Sequence, residues 1–162
     1  MISGHISVND YLQAQRLHRK SWEKWSKIVA VVIAVFSAAI IVVGDRHFGV
    51  LTLCVGVGLL ISEYTFAYIF LPRFVRKNHA QRKDLANRFT YSWDAQYVEA
   101  QSDTGSAKRP WSHYTKLKED EHIFLLYHAD NMFEMLPKSW FPSPEKIHEF
   151  RTQAVSSIPH SA

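Results

Sequence analysis

Two uncharged apolar runs constrain this chain more than any other feature. They cover residues 28–43 and 48–62, separated by the polar tetrapeptide Gly44-Asp45-Arg46-His47. A helix that crosses a bilayer usually needs about 20 apolar residues, so flanking residues must extend each run. Both runs are apolar around the whole helix, whereas a soluble helix normally keeps a polar face. The sequence therefore predicts a transmembrane hairpin over residues 27–71, with helices over 27–44 and 48–71, rather than a buried hairpin in a soluble domain.

Basic side chains flank the hairpin and are scarce in its loop. Five Lys or Arg residues precede the first run and six follow the second closely, whereas the loop contains only Arg46. Because cytoplasmic flanks of membrane helices are rich in Lys and Arg, we expect a multi-pass protein with both termini in the cytoplasm. The residues predicted at the membrane interface are Trp22, Trp25, Lys27, Glu63, Tyr64, Tyr68, Arg73, Arg76 and Lys77.

Glu63 is the acidic residue of the second apolar segment. The register of an antiparallel hairpin places it beside Lys27, at a depth where its carboxylate can reach headgroup water. We therefore favour an interfacial carboxylate paired with Lys27 or Lys24. The alternative is an acid on a proton or ion pathway, which is the usual reason for an acid inside a span.

Small residues recur at every fourth position in both runs. Such stripes let helix backbones approach closely in lipid. The register places Ala34 opposite Gly58 and Ala38 opposite Cys54, so the stripes are predicted to hold the hairpin together. The alternative is that they form a dimer face and the protein is a homo-oligomer. The complete stripes are Ala30, Ala34 and Ala38 in the first run and Cys54, Gly58 and Ser62 in the second.

The net charge of +4 is unevenly distributed. Residues 1–89 have a net charge of +7 and residues 90–162 of −3. The basic excess lies beside the membrane, where anionic lipid attracts it, so no nucleic-acid partner is expected. The single cysteine, Cys54, excludes an intrachain disulfide. The nine histidines show no metal-binding or catalytic spacing, so we predict no catalytic residues, no metal and no cofactor.

The segments that flank the hairpin have their own predictions. Residues 1–26 should hold a weak strand at residues 5–8 and a basic helix capped by Asn9 or Asp10. This helix either lies along the headgroups or extends the span into solvent. Pro72 should end or kink the second span, and residues 72–86 form a basic juxtamembrane segment, helical from residue 73 to 85.

From residue 87 onward the pattern alternates in the manner of strands. Six short strands are predicted within a cytoplasmic β domain over residues 87–155, followed by a disordered tail over 156–162. Ser143 should cap a closing helix that turns Ile147, Phe150 and Ala154 toward the sheet. The predicted fold class is an α+β membrane protein: a two-helix transmembrane hairpin followed by a small antiparallel β domain with a C-terminal helix.

Several short motifs of this last segment resemble one family. They are Arg109-Pro110-Trp111-Ser112, Phe124-Leu125-Leu126-Tyr127, Leu136-Pro137-Lys138 and Trp140-Phe141-Pro142, with the closing helix to Phe150. Together with the two preceding spans, they resemble the YcxB-like bacterial membrane proteins. The resemblance implies a pleckstrin-homology-like β fold on a two-span anchor in the bacterial cytoplasmic (inner) membrane, and it implies no biochemical activity. Such a barrel needs seven strands, so we hypothesise that residues 5–8 add an edge strand to the β domain.

Trp111 and Trp140 each lie beside a proline at a strand or turn boundary. An indole there commonly fills the open end of a small β core, which we favour over ligand contact. If they were exposed, they would form a partner or lipid face with the nearby cations. That face would contain Lys108, Arg109, Trp111, Lys116 and Trp140, with Lys118 as a further cation, and the alternative is a pair of solvated strands.

Two functions follow from these predictions. The first is a membrane-anchored interaction or regulatory module without catalytic activity, whose β domain binds an unknown protein partner or inner-leaflet lipid. The second is a small oligomeric transport, channel or immunity-type membrane protein that uses Glu63. The two differ in whether Glu63→Gln is tolerated.

Overall fold

The computed structural model describes residues 1–44, 46–81 and 87–158. The chain forms two compact units. One unit joins Met1–His18 to the residues from Val75 onward and contains all the strands. The other is Arg19–Phe74, a helical hairpin. Two long apolar helices followed by antiparallel strands and a C-terminal helix confirm the predicted α+β class.

The apolar runs form two long helical segments. Helix α1 covers Val8–Val43. Helix α2 covers Arg46–Thr65 and continues through a π-helical turn, Phe66–Phe70, into α3, Leu71–Gln81. Both segments are long and apolar enough to cross a membrane, and only 11% and 6% of their most apolar windows is buried. A core helix of a soluble protein would be mostly buried there, so both segments are candidate membrane-spanning helices.

The hairpin packs through glycines that the predicted stripe does not contain. A Cβ atom on Gly49 would lie 2.5 Å from Cγ1 of Ile41, and one on Gly56 would lie 3.0 Å from Cγ2 of Ile33. In contrast, a Cβ atom on Gly58 would meet open space, and Cys54 is exposed. The predicted contacts of Gly58 and Cys54 are therefore wrong: a Cβ atom fits freely only on the side of α2 that faces away from α1.

The prediction was that Pro72 ends or kinks the second span, and the structure excludes the first alternative, because the helical segment continues past this residue. The π-helical turn directly precedes it, and Leu71 donates its backbone N–H to the carbonyl of Phe66. A proline inside a helix has no N–H to donate and clashes with the preceding turn. A π turn changes the hydrogen-bond spacing locally, so the helix passes the proline and continues to Gln81. The rest of the predicted helix, residues 82–85, lies outside the described residues.

In the part of the chain that the structure describes, seven antiparallel strands form two sheets. The first sheet has the order β1-β2-β3-β4 and the second the order β5-β6-β7. The strands of the first sheet are Ile2–His5, Arg88–Trp93, Tyr97–Ser102 and Gly105–Pro110. Those of the second are Lys116–Glu119, Ile123–Ala129 and Met132–Pro137. Short 3₁₀ turns at Trp111–His113 and Lys138–Trp140 follow β4 and β7.

The N-terminal segment does add an edge strand, but of the predicted residues 5–8 only His5 belongs to it. Strand β1 pairs with β2, so that Ile2 lies opposite Tyr91 and His5 opposite Arg88. Val8 already belongs to α1. The helix begins earlier than expected because Ser7 caps it: its Oγ accepts from the Asp10 N–H at 3.1 Å, and Asp10 Oδ2 accepts from the Ser7 N–H at 3.0 Å. This reciprocal capping fixes the first turn.

The first turns of α1 cover the outer face of the second sheet, a contact that neither predicted placement of this helix included. Ala14 and Leu17 are buried against Ile123, Leu125 and Tyr127 of β6. Their spacing forms one apolar stripe, while the basic side chains that suggested a headgroup helix lie on other faces.

The main core lies between the two sheets and α4, Pro144–Ser157. The predicted features of this helix are confirmed: Ser143 is its N-cap, Phe150 and Ala154 are buried, and Ile147 packs against the core. Ile158 is also buried, at 3% exposed, so the predicted disordered tail does not begin at residue 156. The rest of that tail, residues 159–162, lies outside the described residues.

Gly4 leaves space for Trp140. A Cβ atom on Gly4 would overlap Nε1 of that indole, which is half-buried against the core. We expect Gly4→Ala to destabilise the β domain by about 1–3 kcal/mol, since an inserted methyl group must displace a packed ring. A urea titration followed by tryptophan fluorescence measures this loss. In a Trp140→Leu background, Gly4→Ala should cost much less; an equal loss in both backgrounds would contradict the clash.

Glu119, at the end of β5, forms ion pairs with side chains of the elements that follow β7. It accepts hydrogen bonds from Lys138 at 2.5 Å and from Nε of Arg151 at 2.8 Å. Burial alone would raise the pKa of Glu119, but these two cations outweigh it and lower the pKa. A carboxyl group with a lowered folded-state pKa stabilises the fold above its unfolded pKa and loses this effect as the pH falls through the folded pKa.

We therefore expect Glu119→Gln to lower the free energy of unfolding by about 1–2 kcal/mol at neutral pH and by less at acidic pH. Urea titrations between pH 3 and 7 test both parts. Glu149→Gln is the matched control, because the Lys146–Glu149 pair on α4 is about half exposed and should contribute little. A pH-independent loss in Glu119→Gln would contradict the pKa direction.

Candidate binding cavity in the β domain

Small side chains on the inner face of the first sheet leave a cavity there. The strand register places Ala100 opposite Ala107 and Ser102 opposite Gly105. Ala100 also lies opposite Tyr91, which belongs to the main core, so these small residues face inward. The larger inward residues on the same strands, such as Val98, fill the other end of the core.

The resulting cavity has a volume of about 360 Å³, which is in the range of small-molecule sites. Apolar and aromatic side chains form its walls, and hydroxyl and amide groups from the β3–β4 turn form one side. The walls are Ile6, Phe89, Tyr91, Ala100, Ala107, Phe133 and Met135. The turn contributes Gln101, Ser102, Thr104, Gly105 and Ser106, and the remaining lining residues are Arg109 and Glu134.

A hydrogen-bonded ion pair lies at the cavity wall. Glu134 Oε1 accepts from Nη1 of Arg109 at 2.5 Å, and Oε2 accepts from the Tyr114 hydroxyl at 3.0 Å. Glu134 lies opposite Leu126 in the β6–β7 register, so its side chain projects into the domain. Its side chain is 11% exposed, whereas that of Arg109 is 35% exposed. Both carboxylate oxygens of Glu134 are thus occupied, and the guanidinium keeps part of its surface open.

Burial dominates the electrostatics of this pair. It raises the pKa of Glu134, and the nearby Arg109 charge and the Tyr114 hydrogen bond only partly offset it. Burial also raises the pKa of Tyr91 and of Tyr114, and the Glu134 carboxylate adds to both shifts. Both phenols therefore stay protonated and can donate hydrogen bonds at any physiological pH.

His128 lies next to this cluster at the end of β6. Its ring centroid is 6.5 Å from that of Tyr114, and its charge would lower the pKa of Glu134. Its Nδ1 atom is buried and makes no hydrogen bond within the described part of the chain. This end of the β domain is thus polar inside, whereas the other end is filled by aromatic rings.

The predicted partner or lipid face is not assembled. Trp111 is 2% exposed and donates its indole N–H to the Asp94 carbonyl at 2.9 Å, so it fills the core. Lys108 lies over the Tyr97 ring, whereas Lys116 lies over the Tyr127 ring on the other sheet. Trp140 covers Gly4. Arg109 alone of this set lines the cavity, and it points inward.

The residues predicted at the membrane interface belong to exposed positions of the long helices. Trp22, Trp25, Tyr64 and Tyr68 are 61–67% exposed, and Tyr64 packs on Tyr68 with ring centroids 4.4 Å apart. Lys27, Arg73, Arg76 and Lys77 are also exposed. Such exposure of aromatic and basic side chains beside apolar helices is what an interfacial belt requires.

Glu63 pairs with Arg19 rather than with Lys27 or Lys24. The distance from Arg19 Nη2 to Glu63 Oε1 is 3.3 Å, and the two side chains are 22% and 19% exposed. The Arg19 guanidinium also lies 4.1 Å from the centroid of the Phe66 ring. The long arginine side chain reaches along the hairpin, so residue spacing alone selected the wrong partner. A groove of about 340 Å³ beside this pair is lined by Trp22, Trp25, Leu59, Leu60, Ser62 and Glu63, among others.

The cavity and the acidic residue at its wall, Glu134, were not predicted from the sequence. Glu134 occurs in an alternating strand, Met132–Pro137, where a charged residue normally indicates the solvent side. The available signal was its register: Glu134 shares the face of Leu136, which is buried. The small residues on β3 and β4 could also be seen in the sequence, but that they lie opposite each other follows only from the strand register.

Residues 93–154 match the family model described as YcxB-like protein. The chain contains a YcxB-like domain. The matched residues run from the last residue of β2 into α4 and include Arg109 and Glu134. They confirm the resemblance suggested by the motifs, although the match does not include the hairpin or β1. No curated protein and no solved structure matches the chain.

Within the described ranges, no three His, Cys, Asp or Glu side chains come together in a group that could hold a metal ion.

Proposed function

We propose that this protein is a membrane-anchored binding module without catalytic activity. The hairpin is the anchor, and the YcxB-like domain binds the partner. The observation that carries the proposal is the contrast between the two units. The helices keep their apolar surface exposed, as an anchor does, while the β domain has a closed core and a cavity that opens to solvent. A regulatory or assembly role at the membrane needs these two parts.

We further propose that the β domain is of the pleckstrin-homology type. Seven antiparallel strands divided into four and three, followed by a C-terminal helix, support this assignment. The proposed location is the bacterial inner membrane, with both termini in the cytoplasm. The distribution of Lys and Arg on either side of the spans supports this orientation.

Cysteine labelling tests the anchor and its orientation. The single native cysteine is first removed as Cys54→Ser, and new cysteines are introduced as His47→Cys or Ser156→Cys. A membrane-impermeant maleimide should label the His47→Cys variant in intact cells and the Ser156→Cys variant only after the membrane is opened. Labelling of both variants from one side, or recovery of the protein in the soluble fraction without detergent, would overturn the proposal.

The alternative, an oligomeric transport or channel protein, depends on Glu63. Arg19 neutralises this carboxylate, which supports a structural pair in the anchor. The binding module should therefore keep its function in Glu63→Gln, and full-length protein in liposomes should show no ion flux above empty liposomes. A flux that Glu63→Gln removes would favour the alternative.

A further inference from the structure

The cavity of the YcxB-like domain has a chemistry that selects among ligands. We propose that it binds a small, uncharged amphiphile whose apolar body packs against Phe89 and Tyr91 and whose oxygen accepts a hydrogen bond from Arg109. This inference rests on the proposal that the β domain is the binding part of the protein. It does not depend on the orientation of the anchor.

The shape of the cavity calls for a compact apolar body. Its walls come from the inner face of the first sheet and from β7 of the second, and small residues on β3 and β4 create the space. In a solvent-open cavity of this size, a ligand with an apolar body would remove the aromatic and apolar wall surface from water. Hydroxyl groups of the β3–β4 turn border the same space, so a ligand with a second polar end is accommodated there.

The charges of the cavity exclude charged ligands. Arg109 and Glu134 neutralise each other, so an anion that bound Arg109 would compete with the Glu134 carboxylate, and a cation that bound Glu134 would compete with the guanidinium. A cation would also find both Glu134 oxygens already bound by Arg109 and Tyr114. An uncharged acceptor meets neither penalty. The guanidinium has five N–H donors in a fork, and Nη1 is the nitrogen that donates to Glu134. The other nitrogens can donate to the ligand oxygen.

Methionine methyl signals can locate a ligand in the full-length protein. The chain has three methionines. Met135 lines the cavity, whereas Met1 and Met132 are 84% and 60% exposed and serve as internal controls. With ¹³C-methyl methionine in detergent-solubilised or nanodisc-embedded protein, a ligand in the cavity shifts Met135 selectively.

Three probes with the same phenyl group and chain, but with a neutral, anionic or cationic end, test the charge selectivity. They are 3-phenylpropanamide, 3-phenylpropanoate and 3-phenylpropylammonium. We expect the amide to shift the Met135 signal saturably, and both ions to bind at least roughly ten-fold more weakly. An ion that binds as tightly as the amide, or an amide that leaves Met135 unchanged up to its solubility limit, would overturn the proposal.

Matched variants locate the probe. Ala107→Phe fills the cavity and should abolish the Met135 shift, whereas Ser62→Phe fills the hairpin groove and should leave it unchanged. If Ala107→Phe does not fold, Ala100→Leu fills the same space with a smaller side chain. Loss of the shift in Ser62→Phe, or its survival in the cavity-filling variant, would overturn the assignment.

A final variant tests the role of the ion pair. Arg109→Leu combined with Glu134→Gln removes both charges while keeping an acceptor for Tyr114. The amide should then bind more weakly, and the ions should no longer differ from it by the original factor. An unchanged preference would show that the ion pair does not select the ligand. Failure of these experiments would leave the proposed anchor and a protein partner untouched, because the labelling experiment tests the anchor separately.

Discussion

Arg109→Leu should lower the free energy of unfolding of the YcxB-like domain by about 3 kcal/mol at neutral pH. Removing one partner of a buried ion pair typically costs about 3–5 kcal/mol, because the remaining charge is left uncompensated. The lower end applies here, since the Arg109 side chain is 35% exposed while that of Glu134 is 11% exposed. Urea titration of the solubilised full-length protein, followed by tryptophan fluorescence, measures the loss.

The pH dependence of this loss identifies its cause. Burial raises the folded-state pKa of Glu134, and Arg109 partly offsets the shift, so its removal raises this pKa further. An acid with a raised folded-state pKa costs stability as the pH rises from its unfolded pKa through the folded one. The deficit of Arg109→Leu should thus be largest at neutral pH and shrink in acid, where Glu134 is protonated.

The double variant Arg109→Leu/Glu134→Gln is the control for this prediction. It should recover most of the lost stability and remove the pH dependence, since no unpaired charge remains and Tyr114 keeps its acceptor. A double variant as unstable as Arg109→Leu would mean that packing of the arginine, and not its charge, stabilises this wall.

Phe150→Ala should destabilise the β domain by about 3–5 kcal/mol, the usual cost of truncating a buried aromatic ring. Phe150 is fully buried, and its ring packs α4 against the aromatic core. Its ring centroid lies 4.9 Å from that of Trp93 and 5.0 Å from that of Phe124, both in edge-to-face geometry. The variant leaves a cavity that the surrounding rings cannot close.

Helix α4 provides the control for Phe150→Ala. His148→Ala removes an exposed ring from the same helix and should change the free energy of unfolding by less than about 0.5 kcal/mol. Hydrogen exchange of the α4 amides should rise strongly in Phe150→Ala and remain unchanged in His148→Ala. If α4 stayed protected in Phe150→Ala, this helix would not depend on that ring for docking.

The parts of the fold that follow from local patterns were predictable. The two apolar runs, the cap at Ser143 and the face of α4 each depend on residues close together in sequence. The parts that failed depend on distant partners. The first turns of α1 pack through Ala14 and Leu17 on β6, which is more than 100 residues away in the chain.

The sequence by itself determined that this chain has two helices with no polar face, and that a strand-rich segment with the motifs of the YcxB-like family follows them. Hydrophobicity and residue spacing are properties of the chain alone, so they can be read without coordinates. Only the tertiary structure decided that Glu134 faces inward to Arg109, that Glu63 meets Arg19, and that Ala100 and Ala107 line one cavity. These contacts join strands or helices whose register is set by packing of the whole unit. A shift of one residue would turn a strand side chain to the opposite face and rotate a helical one by about 100°.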